Sequence, residues 1–197
     1  GGPAFFPPFH FFENRTRLRG MSADYLNTMM NDLGIRTNLH TSLSWAEVLQ
    51  QAKEKKIDLI ACAAKTAERE SYLHFSDPYL SFPLVIINRV EADFIGDIKD
   101  LKHQKLALVQ QNIIQTWLER DQIPVVPFYV SSPRHGLEAV SFGRADAIIE
   151  NLAAATYMIK KYGLTNLKIA APTPYGNYDL HMAVQKDHHQ LVSIINK

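Results

Sequence analysis

Apolar positions recur along this chain in two alternating patterns. One is a short apolar run bounded by turn residues, as in Ile57 to Ala61, Leu84 to Asn88, Lys105 to Val109 and Val125 to Val130. The other repeats every three or four residues. Tyr25, Leu26, Met29, Met30 and Leu33 share one helical face, and Ile113, Ile114, Trp117 and Leu118 share another. Strand-length runs alternating with helical periodicity predict an α/β protein with mostly parallel sheets.

Punctuating residues sharpen the boundaries. Ser22 is a candidate cap for the first helix and Gly34 its C-terminal stop. Ser44, with Glu47 three residues on, predicts a capping box for a second helix that carries Trp45, Val48 and Leu49 and runs to about Lys55. Ser132 as cap, with Pro133 at the first helical position, opens another helix. Leu152 to Lys161 reads as a helix stopped by Gly163, and Asp187 as the cap of a last helix through Leu191, Ile194 and Ile195. Strands at Ala147 to Ile149, Leu167 to Ala170 and His181 to Val184 complete the alternation. Near the start, Phe5 to Phe12 reads as an extended strand, because Pro7 and Pro8 break any helix. The elements fall into two α/β blocks split near Glu91, with no internal repeat.

Composition narrows the function. A chain of 197 residues, 46% hydrophobic and 21% charged, is long enough and apolar enough to bury a core as one domain or two small ones. A net charge of +1 supplies no electrostatic argument for nucleic acid or an anionic membrane as partner. Cys62 is the only cysteine, which excludes an internal disulfide and a cysteine-based zinc site. No apolar run approaches the roughly 18 residues needed to span a bilayer. The opening Gly1-Gly2-Pro3 carries no signal peptide and reads as an excised or processed piece, so it does not decide the compartment. No nucleophile elbow, His-Glu-x-x-His or phosphate loop is present, and His188-His189 lacks metal-ligand spacing. The expectation is a non-enzyme without cofactor or metal.

Seven segments in order carry a family resemblance. They are Phe6-Pro7-Pro8-Phe9-His10-Phe11, Gly20 through Tyr25, Trp45 to Leu49 with Lys56 to Ile60, Thr66-Ala67-Glu68-Arg69, Phe75 to Tyr79, Gly143 to Ala147, and Ala183 to Asp187. Together they resemble the bacterial extracellular solute-binding proteins of family 3, which have the two-lobed periplasmic-binding-protein type II, or Venus flytrap, fold. Glu150 to Tyr157 and Leu191 to Lys197 are most similar to the periplasmic sensor domains of hybrid sensor histidine kinases. The resemblance implies a lobe 1 of residues 1–89 plus 178–197 and a lobe 2 of residues 90–177. Crossings near Asn88 and Tyr178 would form the hinge. It further implies a periplasmic location and a small-molecule ligand that stabilises the closed lobes. The neighbouring partners would be a second flytrap, a membrane segment or a kinase of the same chain. A free-standing amino-acid receptor of an importer is the alternative.

The same resemblance assigns binding residues. Arg69 stands where the family anchors a ligand carboxylate, and a guanidinium offers a planar fork of donors that never loses its charge. Residue type alone also allows a surface arginine paired with Glu68 or Glu70. Phe6 and Trp45 occupy the positions of aromatic rings that sandwich the ligand, although Trp45 equally suits the buried face of its helix. Thr66, with the backbone of Cys62 and Ala64, would supply short polar contacts, or Thr66 would only cap the following turn. Two positions depart from the amino-acid pattern. The family's glycine-threonine turn is here Gln111-Asn112, and its ammonium-holding acidic residue is Asn151, an amide without charge. Glu150 would compensate only if its strand were rotated or bulged.

Overall fold

A computed structural model describes residues 5–13, 17–39 and 44–197. The chain divides into two compact units, one of residues 1–81 and 179–197 and one of residues 82–178. In chain order the elements of the first unit begin with three short strands, β1 (Phe5–Phe6), β2 (His10–Glu13) and β3 (Arg17–Arg19). Helices α1 (Met21–Asp32) and α2 (Trp45–Lys53) follow, then β4 (Leu59–Ala63), the single turn α3 (Ala67–Glu70) and β5 (Leu73–Phe75). Strand β6 (Leu80–Arg89) leads into the second unit, which holds β7 (Lys105–Val109), α4 (Ile113–Arg120), β8 (Val126–Val130), α5 (Pro133–Ser141), β9 (Ala147–Asn151) and α6 (Leu152–Tyr162). Strand β10 (Leu167–Gln185) returns to the first unit, which ends on α7 (His189–Ile195).

The first unit starts with a correction. Phe5 to Phe12 is not one strand: the chain turns at residues 7–9, the Phe9 amide donates to the Phe6 carbonyl at 3.0 Å, and β1 pairs antiparallel with β2. This turn also replaces the expected Ser22 cap. Helix α1 begins after Gly20 with no side-chain cap. Instead the Met21 and Ser22 amides donate to the carbonyls of Pro8 and Phe9, at 3.0 and 2.9 Å. Backbone carbonyls from another segment thus satisfy donors that every helix start leaves open. Ser22 is fully buried inside the helix, and the inward face is Ser22, Ala23, Leu26 and Met30, while Tyr25 and Leu33 are exposed. Gly34 ends the helix in the left-handed region at φ 65°, where a residue without Cβ carries no strain.

The capping box of α2 forms as its spacing predicts. The Ser44 amide donates to Glu47 Oε2 at 2.7 Å and the Glu47 amide to Ser44 Oγ at 3.3 Å. Val48, Leu49 and Ala52 pack on Ile57, Ile60, Ala63, Leu73 and Ala183, with half-buried Trp45 at the margin. Strands β4 and β5 both pair antiparallel with the last part of β10. Asp187 does not cap α7: that helix has no side-chain cap, and Asp187 pairs with Lys55 Nζ at 2.5 Å.

In the second unit β7 pairs parallel with both β8 and β9, while β9 pairs antiparallel with β6 in an unbroken register from Leu84↔Asn151 to Asn88↔Ala147. The whole strand order is β4-β10-β6-β9-β7-β8, with β5 also on β10. The sheet is therefore mixed rather than mostly parallel. Its core gathers Leu84, Ile86, Leu106, Leu108, Ile149 and, from α4, Ile114 and Leu118. On the opposite face α5 packs closely, since a Cβ on Gly136 would stand 2.5 Å from Ile148 Cδ1.

Two expected strands, Leu167 to Ala170 and His181 to Val184, are one strand of 19 residues. Pro172 and Pro174 lie within it, two residues apart, so both missing donors fall on the same edge of the strand while the amides of Ala171 and Thr173 face the other edge. The first unit boundary falls at 81/82 rather than 89/90, because Leu84–Asn88 belong to the ladder with β9. Among the described residues no helix is long and apolar enough to cross a membrane.

Candidate functional site

The first unit brings Trp45, Ala64, Thr66 and Arg69 together. β4 ends at Ala63, and the chain turns through Ala64 to Thr66, whose Oγ1 accepts from the Arg69 amide at 3.1 Å. That cap sets the single turn α3 and fixes the direction of the Arg69 side chain. Arg69 is 4% exposed, its Nη1 donates to the Ala64 carbonyl at 2.8 Å, and its Cζ lies 5.0 Å from the Trp45 ring centroid. The neighbouring acids are engaged by other cations, Glu68 by Lys53 at 2.8 Å and Glu70 by Lys65 at 2.9 Å. A guanidinium stacked on an aromatic face and held by a carbonyl has lost its rotamer freedom before any ligand arrives, so less entropy remains to be lost on binding.

The Cys62 side chain and the Phe6 ring are both buried. The Cys62 thiol is buried beside Ser22 and Tyr79, and burial pushes it up to about 11, which leaves it protonated and unreactive. The Tyr79 hydroxyl lies 2.6 Å from Ser22 Oγ and 2.7 Å from the Ala61 carbonyl. No local signal announces this cluster, since Ser22 and Tyr79 stand 57 residues apart. Phe6 is 8% exposed and packs on Phe9, ring centroids 5.0 Å apart.

In the second unit three strands, β7, β8 and β9, run parallel, and each is followed by a helix with a side-chain cap. Asn112 Oδ1 accepts from the Ile114 amide at 3.1 Å, Ser132 Oγ from the His135 amide at 3.4 Å, and Asn151 Oδ1 from the Ala153 and Ala154 amides at 2.9 and 3.2 Å. Parallel pairing places all three helix starts along one edge of the sheet. Gln111 holds φ at 58°, so the backbone keeps a left-handed residue just before Asn112 without a glycine. Glu150 is 4% exposed, its Oε1 accepts from the Asn151 amide at 2.7 Å, and burial pushes its carboxyl up to about 7. β9 keeps its regular register at Glu150, opposite Val85, so the bulge that would have redirected this side chain is absent.

The model of the bacterial extracellular solute-binding proteins, family 3, matches residues 1–197. The chain belongs to that family. It is 25% identical over 192 residues to the virulence sensor protein BvgS of Bordetella pertussis, an alignment covering 98% of this chain and 16% of BvgS. It is also 25% identical over 195 residues to the L-cystine-binding protein TcyJ of Escherichia coli, covering 97% and 71%. A solved histidine kinase sensor domain with similarity to periplasmic binding proteins superposes with a TM-score of 0.92 at 19% identity, covering 100% of this chain and 85% of that one. The fold is thus the Venus flytrap of periplasmic binding proteins, and the chain spans about one-sixth of the length of BvgS.

Within this solute-binding domain, the residues that sequence reasoning missed are Glu150 as a buried acid and the cap made by Asn151. The second was legible: an asparagine directly before a helical pattern is a standard N-cap. The first was not, since nothing local distinguishes a buried glutamate from an exposed one.

Proposed function

We propose that this chain is the extracytoplasmic ligand-binding part of a sensor histidine kinase. It takes a small carboxylate-bearing molecule and signals by ligand-dependent closure of its two lobes, which correspond to the two compact units. The likeness to BvgS across 98% of the chain supports the sensor role. Arg69 is the observation that carries the ligand class: its guanidinium stacks on Trp45 and is tied to the Ala64 carbonyl, and guanidinium matches carboxylate in geometry and charge. A ligand with higher affinity for the closed than the open form shifts that equilibrium by its differential affinity alone.

The test is Arg69→Lys, with the ligand first identified by mass spectrometry of natively purified protein. Loss of the bidentate fork weakens binding by about 1 to 3 kcal/mol in calorimetry. An unchanged dissociation constant rejects the assignment. The likeness to TcyJ supports a second reading, a free-standing amino-acid receptor. A thermal-shift screen of the twenty amino acids separates the two. A ligand at a hundredfold excess over Kd adds about 2.7 kcal/mol and moves the melting point by a few degrees. Large shifts from several amino acids favour the receptor.

A further inference from the structure

The chain passes from one compact unit to the other along two strands, β6 outward and β10 on the return, which are neighbours in the sheet. On the first unit's side they are tied twice. The Tyr79 amide donates to the Leu180 carbonyl at 3.1 Å. The Ser81 hydroxyl donates to Asp179 Oδ1 at 2.5 Å, and these two residues flank the boundary on their strands. On the second unit's side the Thr173 hydroxyl donates to the Leu84 carbonyl at 3.1 Å. Each tie lies within one unit.

The spans between these ties are unequal. β6 has residues 82 and 83 between Ser81 and Leu84, whereas β10 has residues 174 to 178 between Thr173 and Asp179. The partners run in antiparallel order, and a regular antiparallel pair spends equal numbers of residues between facing positions, so the surplus on β10 is a bulge. Gly176 stands in the middle of that surplus at φ 68°, the left-handed region that such a bulge assigns to glycine, and no atom lies within 4 Å of a Cβ built there. Open space around a residue without a side chain lets its backbone rotate without repacking. β6 has no such reserve: Pro83 fixes its own φ, and the strand passes directly into Leu84 to Asn88, buried and paired with β9.

We propose that β10 is the compliant limb of the connection and β6 the taut one. Rotation about Gly176 takes up any change in the orientation of the units, and the Ser81–Asp179 hydrogen bond is the clip that sets where the movable stretch begins. This rests on the reading of the chain as a domain that signals by closure. It moves the pivot to Gly176 from Asn88 and Tyr178, where the family resemblance puts the crossings. Asn88 is buried and paired with Ala147, so it travels with the second unit. Closure on this account changes a few backbone angles in one strand and leaves both cores as they are.

The test is pulsed electron spin resonance on the unliganded chain, with spin labels on Asp32→Cys in α1 and Thr116→Cys in α4, one exposed position in each unit. Cys62 is buried and protonated and takes no label. Wild type is expected to give a short and a long distance. Gly163→Ala is the control: Gly163 also has a positive φ, 64°, and open space around an added Cβ, but it stops α6 instead of lying in a crossing strand. Left-handed backbone disfavours alanine, so Gly176→Ala is expected to change the ratio of the two distances about fivefold while Gly163→Ala leaves it as in wild type. Ser81→Ala and Asp179→Ala are each expected to broaden the distribution, and the double variant no further, since all three remove one bond. These clip variants alter exposed side chains and test the same limb should Gly176→Ala fail to fold. Gly176→Ala matching Gly163→Ala, or both clip variants matching wild type, overturns this inference, and closure stands where wild type still gives two distances. A single narrow distance in wild type and every variant overturns closure along with it.

Discussion

The guanidinium of Arg69 lies over the indole of Trp45, Cζ to ring centroid 5.0 Å, and the two residues come from elements 24 positions apart. The contact joins the start of α2 to the turn after β4. It assigns the aromatic ring a role that neither expectation anticipated: Trp45 is half-buried at the margin of its core and serves as a platform for the cation.

Replacing the platform should therefore loosen the cation. Trp45→Leu keeps an apolar side chain at the core margin but removes the π face, and a cation–π contact contributes about 1 to 2 kcal/mol when partly desolvated. Anion affinity should fall by roughly 5- to 30-fold in calorimetry, with a smaller loss in Trp45→Phe. Equal affinities in all three proteins would show that Arg69 is positioned without the ring.

The buried carboxyl of Glu150 makes a pH prediction. Its folded value of about 7 exceeds the ordinary 4.5, so between those limits the folded chain holds a proton that the unfolded chain releases. The associated stability is present in full below about pH 4.5 and is lost as pH rises through about 7. At about 1.4 kcal/mol per pH unit, this is on the order of 3 kcal/mol. Glu150→Gln should thus be more stable than wild type at pH 8 and about equal to it near pH 4, by urea denaturation. His10 has the opposite slope: burial lowers it from 6.5 to about 4, so its contribution is lost as pH falls through that range. Comparing the variant with wild type at each pH cancels the His10 effect. A constant difference across pH would show that Glu150 is not the titrating group.

Gly20 is the point where the N-terminal turn meets α1. Its φ is 106°, and a Cβ there would stand 2.5 Å from the carbonyl oxygens of both Pro8 and Phe9. Those carbonyls are the acceptors for the first amides of α1, so relief of the clash would break the cap. Gly20→Ala should cost about 3 kcal/mol, seen as a drop in melting temperature. Gly34→Ala is the comparison: φ is also positive, but no atom lies within 4 Å of the added Cβ. Equal losses in the two variants would mean that strain at φ, not the clash, dominates.

What the sequence by itself determined is local. The capping box Ser44–Glu47, the Ser132–Pro133 start, and the stops at Gly34 and Gly163 all form as read, because each involves backbone groups within about four residues and a side chain with one good conformation. The alternation of short apolar runs and helical periodicity likewise determined the α/β class. Tertiary structure decided what depends on distant partners. Carbonyls of Pro8 and Phe9 took over the capping of α1, so Ser22 was free to enter the core beside Tyr79. Strand pairing carried β10 through two prolines and a glycine, with both prolines' missing donors on one edge of the strand. Burial, which no local pattern encodes, decided that Glu150 holds its proton. The same packing enclosed the amide nitrogen of Asn151 while its oxygen met the helix, as the local signal required.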